Sequence, residues 1–168
     1  MTKIGLLSDT HSFLDEGVLR HFEDCDEVWH AGDFGDLALA EKIAAVKPLK
    51  GVYGNIDGQD IRSVYPEQLV FYCEEVKVMI RHIGGYPPKY NPETKKELAI
   101  HRPQLFISGH SHILKVMYDP AIECLHMNPG AAGIQGWHKV KTLLRFVIDG
   151  KDIRDAAVIE LGNKRQTV

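Results

Sequence analysis

The sequence predicts a layered α/β fold, and three observations carry the prediction. Short apolar runs without helical period recur at residues 4–7, 28–31 and 49–53. The segments after the first two space their apolar residues along one helix face. Each run ends in a polar cluster drawn from Asp, Asn, His and Gly.

In order along the chain, residues 4–7 read as a buried strand that feeds Ser8-Asp9-Thr10-His11. Residues 15–24 place Val18, Leu19 and Phe22 at helical spacing, and residues 28–31 form a second strand ending in Gly32-Asp33. Residues 36–46, with Leu37, Leu39, Ala40, Ile43 and Ala44, form a second helix stopped by Pro48. The third strand, 49–53, leads into Gly54-Asn55. Residues 69–73 and 76–80 alternate as a hairpin turning at Glu74-Glu75, and the second strand delivers His82. After the Gly84-Gly85-Tyr86-Pro87-Pro88 loop, residues 93–101 read as a helix. Residues 105–108 read as a strand launching Gly109-His110-Ser111-His112. The remainder to residue 159 is mostly strand, with turns at Asp119-Pro120 and Asp149-Gly150.

A chain of 168 residues can bury its own core, so residues 1–168 are expected to form one domain. With 44% hydrophobic and 26% charged residues, neither a disordered nor a fibrous class is favoured. A net charge of −3, with no basic cluster longer than the Lys95-Lys96 pair, argues against nucleic acid as the main partner. Polar Ser8-Asp9 arrives too early for a signal segment and no apolar run approaches membrane-spanning length, so no membrane partner and a cytoplasmic location are expected. Cys25, Cys73 and Cys124 are odd in number and far apart. That favours buried reduced thiols over a disulfide framework or a zinc-thiolate site.

The polar clusters carry the chemistry. Each lies at or just past the C-terminal end of an expected strand, where open α/β sheets build their sites. Asp9 and His11, like His110 and His112, are two residues apart, which in extended backbone sends both side chains to one side. Carboxylates, an Asn carbonyl and neutral imidazoles suit first-row divalent ions, with manganese first and nickel, iron, cobalt or zinc as alternatives. Two such ions about 3.5–4 Å apart form a clamp for in-line displacement at phosphorus. Two divalent ions against two Asp and one hydroxide leave a pocket charge of about +1, so an acidic protein can still hold a phosphate.

The order D-x-H, G-D, G-N, a single His and G-H-x-H resembles the calcineurin-like metallophosphoesterases, in particular their small bacterial and archaeal phosphodiesterases. The resemblance runs from Ile4 to about Gly130. It implies a four-layer α/β/β/α sandwich of two mixed sheets flanked by helices. It also implies a first metal on Asp9, His11, Asp33 and His112, and a second on Asp33, Asn55, His82 and His110, with Asp33 bridging. Asn128-Pro129-Gly130 resembles the family's short loop beside the site. The implied activity is hydrolysis of a small phosphodiester by a metal-bridging hydroxide, with Asn55 also orienting a phosphate oxygen. Phosphomonoester cleavage and a non-catalytic scaffold, as in the retromer subunit of this fold, are the alternatives. The family is often dimeric or larger, so a homo-oligomer is left open.

Two departures stand out. Larger relatives place a His, and several small ones a Cys, where this chain has Ile56, which cannot transfer a proton. Asp57 is then the candidate donor to the leaving group. Small relatives usually follow the single His with Gly, whereas this chain reads His82-Ile83-Gly84.

Outside the motifs, His30 is expected to prop its loop by hydrogen bonding, and His21, His101, His126 and His138 to be ordinary surface or packed residues. Tyr86-Pro87-Pro88-Lys89-Tyr90 reads as a lid, a subunit contact or a proline-stiffened loop. For Trp137, packing is favoured slightly over a dimer anchor.

Overall fold

Alternation along the strands decides which faces meet. In the computed structural model, which describes residues 1–164, β1 (Thr2–Leu7) sends Ile4 and Leu6 to one side and Leu7 to the other. It is followed by α1 (Gly17–His21), β2 (Glu27–His30), α2 (Leu37–Ala44), β3 (Leu49–Gly51) and the one-turn α3 (Gln59–Arg62). The second half runs β4 (Gln68–Cys73), β5 (Val76–Arg81), β6 (Gly85–Tyr86), β7 (Lys89–Tyr90), α4 (Pro92–His101), β8 (Leu105–Ile107), β9 (Leu114–Asp119), β10 (Cys124–Pro129), β11 (Val140–Asp149) and β12 (Asp152–Asn163).

Two five-stranded mixed sheets result. One has the order β12-β11-β1-β2-β3, with β1, β2 and β3 parallel and β11 antiparallel to β1. The other has the order β4-β5-β8-β10-β9, with β5, β8 and β10 parallel and the two outer strands antiparallel. Their inner faces share one core: Ile4, Leu6, Trp29, Phe146 and Ile148 from the first sheet meet Val76, Val78, Ile80, Leu105 and Ile107 from the second. Trp29 stands edge-on to Phe71 and Phe146 and donates its Nε1–H to Glu27 at 2.8 Å, so its polar atom is satisfied at the core's edge. The outer face of the first sheet packs on Val18 of α1, Leu39, Ala40 and Ile43 of α2, and Ile61 of α3. Met79 and Phe106 on the outer face of the second pack on Leu98 of α4. Each such aliphatic or aromatic side chain, fully buried, contributes roughly 1.5–3 kcal/mol. These packed layers are the α/β/β/α sandwich.

Local signals set most boundaries. Asp36 caps α2 by accepting from Leu39 N at 2.9 Å. Asn91 caps α4 ahead of Pro92, and Arg102 ends α4 in the left-handed conformation. The first helix is shorter than residues 15–24, because Asp15 is used outside it: its carboxylate accepts from Gly17 N at 2.8 Å and from the buried Lys141 ammonium at 2.6 Å. Three elements were not expected. α3 is four residues long and too short to show a period, and β6–β7 is a small hairpin inside the expected proline loop. Tyr90 of that hairpin donates to Asp119 at 2.6 Å and Lys115 lies over the Tyr86 ring, so the segment is pinned against β9. Cys25, Cys73 and Cys124 are buried free thiols. Among the described residues no helix is long and apolar enough to cross a membrane.

Candidate metal centre

The parallel strands deliver the polar clusters to one end of the sandwich. β1 ends beside Asp9, β2 beside Asp33, β5 beside His82 and β8 beside His110. The loops are then sewn together through Asp9 N to Gly32 O at 2.9 Å, His11 N to Asp33 O at 3.0 Å and Gly109 N to His82 O at 3.0 Å. Asp9, His11, Asp33, His110 and His112 all have positive φ, between 46° and 68°. Non-glycine residues adopt this region rarely, at a cost of roughly 1–3 kcal/mol each, and hold it where surrounding bonds over-determine them. Five such positions among seven candidate ligands aim side chains inward at the expense of stability.

All seven sequence-predicted ligands come together, in two groups. Asp9, His11 and His112 form one and Asp33, His82 and His110 the other, with ligand atoms in each within 4.8 Å of one another. Asp33 Oδ2 lies 3.3 Å from His11 Nε2 and 3.2 Å from His82 Nε2, which puts it between the groups. His112 Nε2 is 3.1 Å from Asp9 Oδ1. Asn55 Oδ1 joins the second group, 3.1 Å from His82 Nε2 and 3.0 Å from His110 Nδ1.

These residues fit a metal. Asp9 Oδ1 and His11 Nε2 are buried and make no hydrogen bond, although acidic oxygens and ring nitrogens stand within 4 Å of each other. Buried polar atoms left without partners are costly, and hard oxygen and imidazole donors pointed at common points are what a divalent cation needs. Their other atoms are already held. Asp9 Oδ2 accepts from Ser8 Oγ at 2.6 Å and His110 N at 3.1 Å, Asp33 Oδ1 from Ile56 N at 3.0 Å, and His82 Nδ1–H donates to Ala31 O at 2.7 Å. Such outer bonds fix ring orientation and leave Nε2 of His82 for ligation.

The charges are poised accordingly. Burial works against the Asp9 carboxylate, but His11 and His112, with Ser8, outweigh it and hold the group far below the usual carboxylate range. Asp33 is likewise held down against its burial, by His11 and His82. Asp33 and Asp9 push His11 up to about 9, and they raise His82 against its burial. Burial and the neighbouring His82 lower His110. A bound cation would take the place of the protons on His11 and His82.

Two glycines are required by contact. A Cβ on Gly54 would lie 2.0 Å from Asp33 Oδ1, and one on Gly32, at φ +104°, would lie 2.6 Å from His82 Nδ1. His30 props its loop as expected: Nδ1 accepts from Gly32 N at 3.0 Å, Nε2–H donates to Thr10 Oγ1 at 3.0 Å, and Thr10 donates onward to Phe34 O at 2.9 Å. Stacked on Phe34 and fully buried, it is pushed down to about 3 and stays neutral. Asn128 braces the last cluster by donating to Gly109 O at 3.0 Å and Ser111 Oγ at 3.1 Å.

Asp57 sits elsewhere than expected. Its buried carboxylate accepts from Gly54 N at 2.8 Å, Gly35 N at 2.9 Å and Phe34 N at 3.2 Å, tying the Gly54 loop to the Asp33 loop. Oxygens occupied by three backbone amides brace two loops; they are not presented to a leaving group. Ile56, next to Asn55, is exposed.

Three features escaped the sequence reading. His138 packs edge-on against His112 at 5.1 Å and bonds Gly133 O at 2.7 Å; it comes from a loop with no motif of its own. A groove of about 330 Å³ opens beside Asn55 and His82, walled by Tyr53, Arg62, Arg81 and Ile83. Trp137 is fully exposed, against the expectation of packing.

The comparisons with known proteins bear on the family and the fold. A probable metallophosphoesterase of Methanocaldococcus jannaschii is 24% identical over 157 residues, covering 88% of this chain and 77% of that protein. A structure described as a novel archaeal phosphodiesterase superposes with a TM-score of 0.72 at 23% identity, covering 94% of this chain and 99% of the other. Vps29 complexed with zinc from Entamoeba histolytica superposes with a TM-score of 0.73 at 14% identity, covering 97% and 99%. The calcineurin-like phosphoesterase superfamily domain model matches residues 2–151, and the chain belongs to that superfamily.

Proposed function

We propose that this protein is a binuclear metal-dependent phosphodiesterase of the cytoplasm, acting on a small phosphodiester. The observation that carries the reading is Asp33 Oδ2, 3.3 Å from His11 Nε2 and 3.2 Å from His82 Nε2, between two groups of competent ligands. Asp9, His11, Asp33 and His112 would hold one divalent ion, and Asp33, Asn55, His82 and His110 the other, with manganese the first candidate. When bound, such ions lower the pKa of water toward 7 and offset charge developing at phosphorus.

The chain's own groups do the rest. Asp9 and Asp33 stay ionised, His30 stays neutral and holds Thr10 and Gly32 in place, and His82 is oriented through Ala31 O. The exposed Asn55 amide can meet a phosphate oxygen at the pocket mouth. No covalent protein intermediate is required, and the Asp57 carboxylate, occupied by three backbone amides, is not free to protonate a leaving group.

Vps29 shares the fold, so a scaffold role is the rival. The complete ligand set supports metal binding, which is common to both readings, since a Vps29 is itself found complexed with zinc, so turnover is what separates them. Chelator-stripped protein assayed with manganese on bis(p-nitrophenyl) phosphate and p-nitrophenyl phosphate tests the reading. Metal-restored turnover with preference for the diester, absent from Asp33→Asn, is expected. Turnover of neither ester with any divalent metal would make the scaffold the leading reading.

A further inference from the structure

We propose that Arg62 is the positioning residue for Asn55: it grips the turn that carries this ligand, and so governs the ion of the second group without affecting the first. The proposal rests on the binuclear reading above.

Asn55 differs from its neighbours in how it is held. Asp9 accepts from Ser8 Oγ at 2.6 Å, Asp33 accepts from Ile56 N at 3.0 Å, and His82 donates to Ala31 O at 2.7 Å. Each of these therefore has a bond from outside the ligand set. Asn55 is exposed, and its side-chain hydrogen bonds among the described residues reach only His82 and His110, which are candidate ligands themselves. Its aim then depends on the backbone of its own turn, Gly54 to Asp57, closed by Asp57 N to Gly54 O at 3.2 Å.

Two side chains hold that turn. On the buried side the Asp57 carboxylate accepts from Gly54 N at 2.8 Å. On the exposed side Arg62 Nε donates to Asp57 O at 2.7 Å, and Arg62 Nη2 stands 3.5 Å from Asn55 O. The guanidinium also lies over the ring of Tyr53, the residue before the turn, at 4.4 Å. One planar group thus meets the turn before its start, at its ligand residue and at its end. Arg62 is itself fixed, because α3 is anchored by the fully buried Ile61 and Arg62 N bonds Gly58 O at 3.0 Å. Among the described residues no carboxylate pairs with Arg62, so nothing draws its fork away from the two carbonyls. A lysine ammonium, a point charge on a flexible stem, cannot serve two carbonyls and a ring face together.

Charge and geometry predict opposite signs here. As a positive charge beside the second group, Arg62 repels a cation, and its removal would tighten binding. As the holder of the Asn55 turn, its removal weakens binding.

Manganese titrated calorimetrically into chelator-stripped protein separates the two, with circular dichroism to confirm the fold of each variant. The unmodified chain is expected to show two binding steps. Arg62→Met and Arg62→Lys should each weaken one step by at least about 10-fold, the scale of a disturbed outer partner, and leave the other unchanged. Asn55→Ala should weaken the same step, and Arg62→Met added to it should lower the affinity no further, because the side chain that Arg62 aims is gone. Arg62→Lys, which keeps the charge and most of the stem, carries the test if the Met variant does not fold. Tighter binding in Arg62→Met, unaltered affinity in Arg62→Lys, equal loss at both steps, or a further loss on top of Asn55→Ala overturns the proposal. If the unmodified chain shows two steps, such a result counts against the role of Arg62 alone. An unmodified chain that takes up a single ion overturns the binuclear reading, and this proposal with it.

Discussion

Asp33 Oδ2 stands 3.2 Å from His82 Nε2, joining a carboxylate from the end of β2 to an imidazole from the end of β5 across the two facing sheets. His11 Nε2 reaches the same oxygen at 3.3 Å, so one carboxylate ties the two halves of the centre together. On the binuclear reading proposed above, Asp33→Asn is expected to lower the amount of manganese bound per chain. On the same reading, a loss of several kcal/mol of charge stabilisation should lower kcat/KM for a diester by about 10³-fold. Metal analysis of dialysed protein alongside the assay checks both; full occupancy with normal activity would remove Asp33 from the bridge.

Gly54 tests the same carboxylate by space alone. The Cβ of Gly54→Ala would fall 2.0 Å from Asp33 Oδ1, so Asp33 must move. Metal affinity is expected to drop at least about 10-fold, the scale of a disturbed outer contact, while circular dichroism stays native. Unchanged affinity would mean the two loops shift together.

His30 holds Thr10 and Gly32 through both ring nitrogens. His30→Phe leaves the Gly32 N–H and the Thr10 hydroxyl with one buried partner fewer, a cost of about 1–3 kcal/mol by urea unfolding. A loss of about 10–100-fold in metal affinity should accompany it. Loss of stability without loss of affinity would confine His30 to folding.

His126 supplies a pH dependence away from the ligands. Burial between Phe106 and Ser108, with Lys115 nearby, pushes it down to about 4, so in the folded protein it stays neutral where the unfolded chain has taken up its proton. Stability is therefore lost as pH falls from about 6.5 toward 4, by about 1.4 kcal/mol per unit from this one group. His126→Gln, which can still bond Ser108, should make the slope shallower by that amount in chelator-treated protein; an identical slope would contradict the assignment.

Ile56, next to Asn55, cannot transfer a proton, and the Asp57 carboxylate is occupied by three backbone amides. The enzyme should then show rates that fall steeply as the leaving group worsens, from p-nitrophenyl to phenyl esters. Ile56→His, at an exposed position, should recover about 10²-fold on the phenyl ester and little on p-nitrophenyl. Equal gains on both would show that proton delivery is not what position 56 lacks.

The sequence by itself determined most of the strands, the two longer helices and the candidate ligand clusters, for a physical reason: these are local. A period of two or 3.6, an Asp or Asn before a helix, and short ligand clusters at strand ends are written within a few residues of one another. Of the seven side chains that converge, six lie in such clusters, while the lone His82 was assigned through the order of the motifs in the family resemblance. The tertiary structure alone decided what depends on contacts between distant segments. Asp57 looked available to a leaving group, yet folding set it under the amides of Gly35 and Phe34, more than twenty residues away. His138 carries no motif, and its place beside His112 follows from the approach of the loop before β11, whose Gly136 leaves no room for a Cβ against the His112 ring. The groove beside Asn55 and His82 is likewise a product of packing, because a pocket wall is assembled from loops whose mutual positions no local pattern encodes.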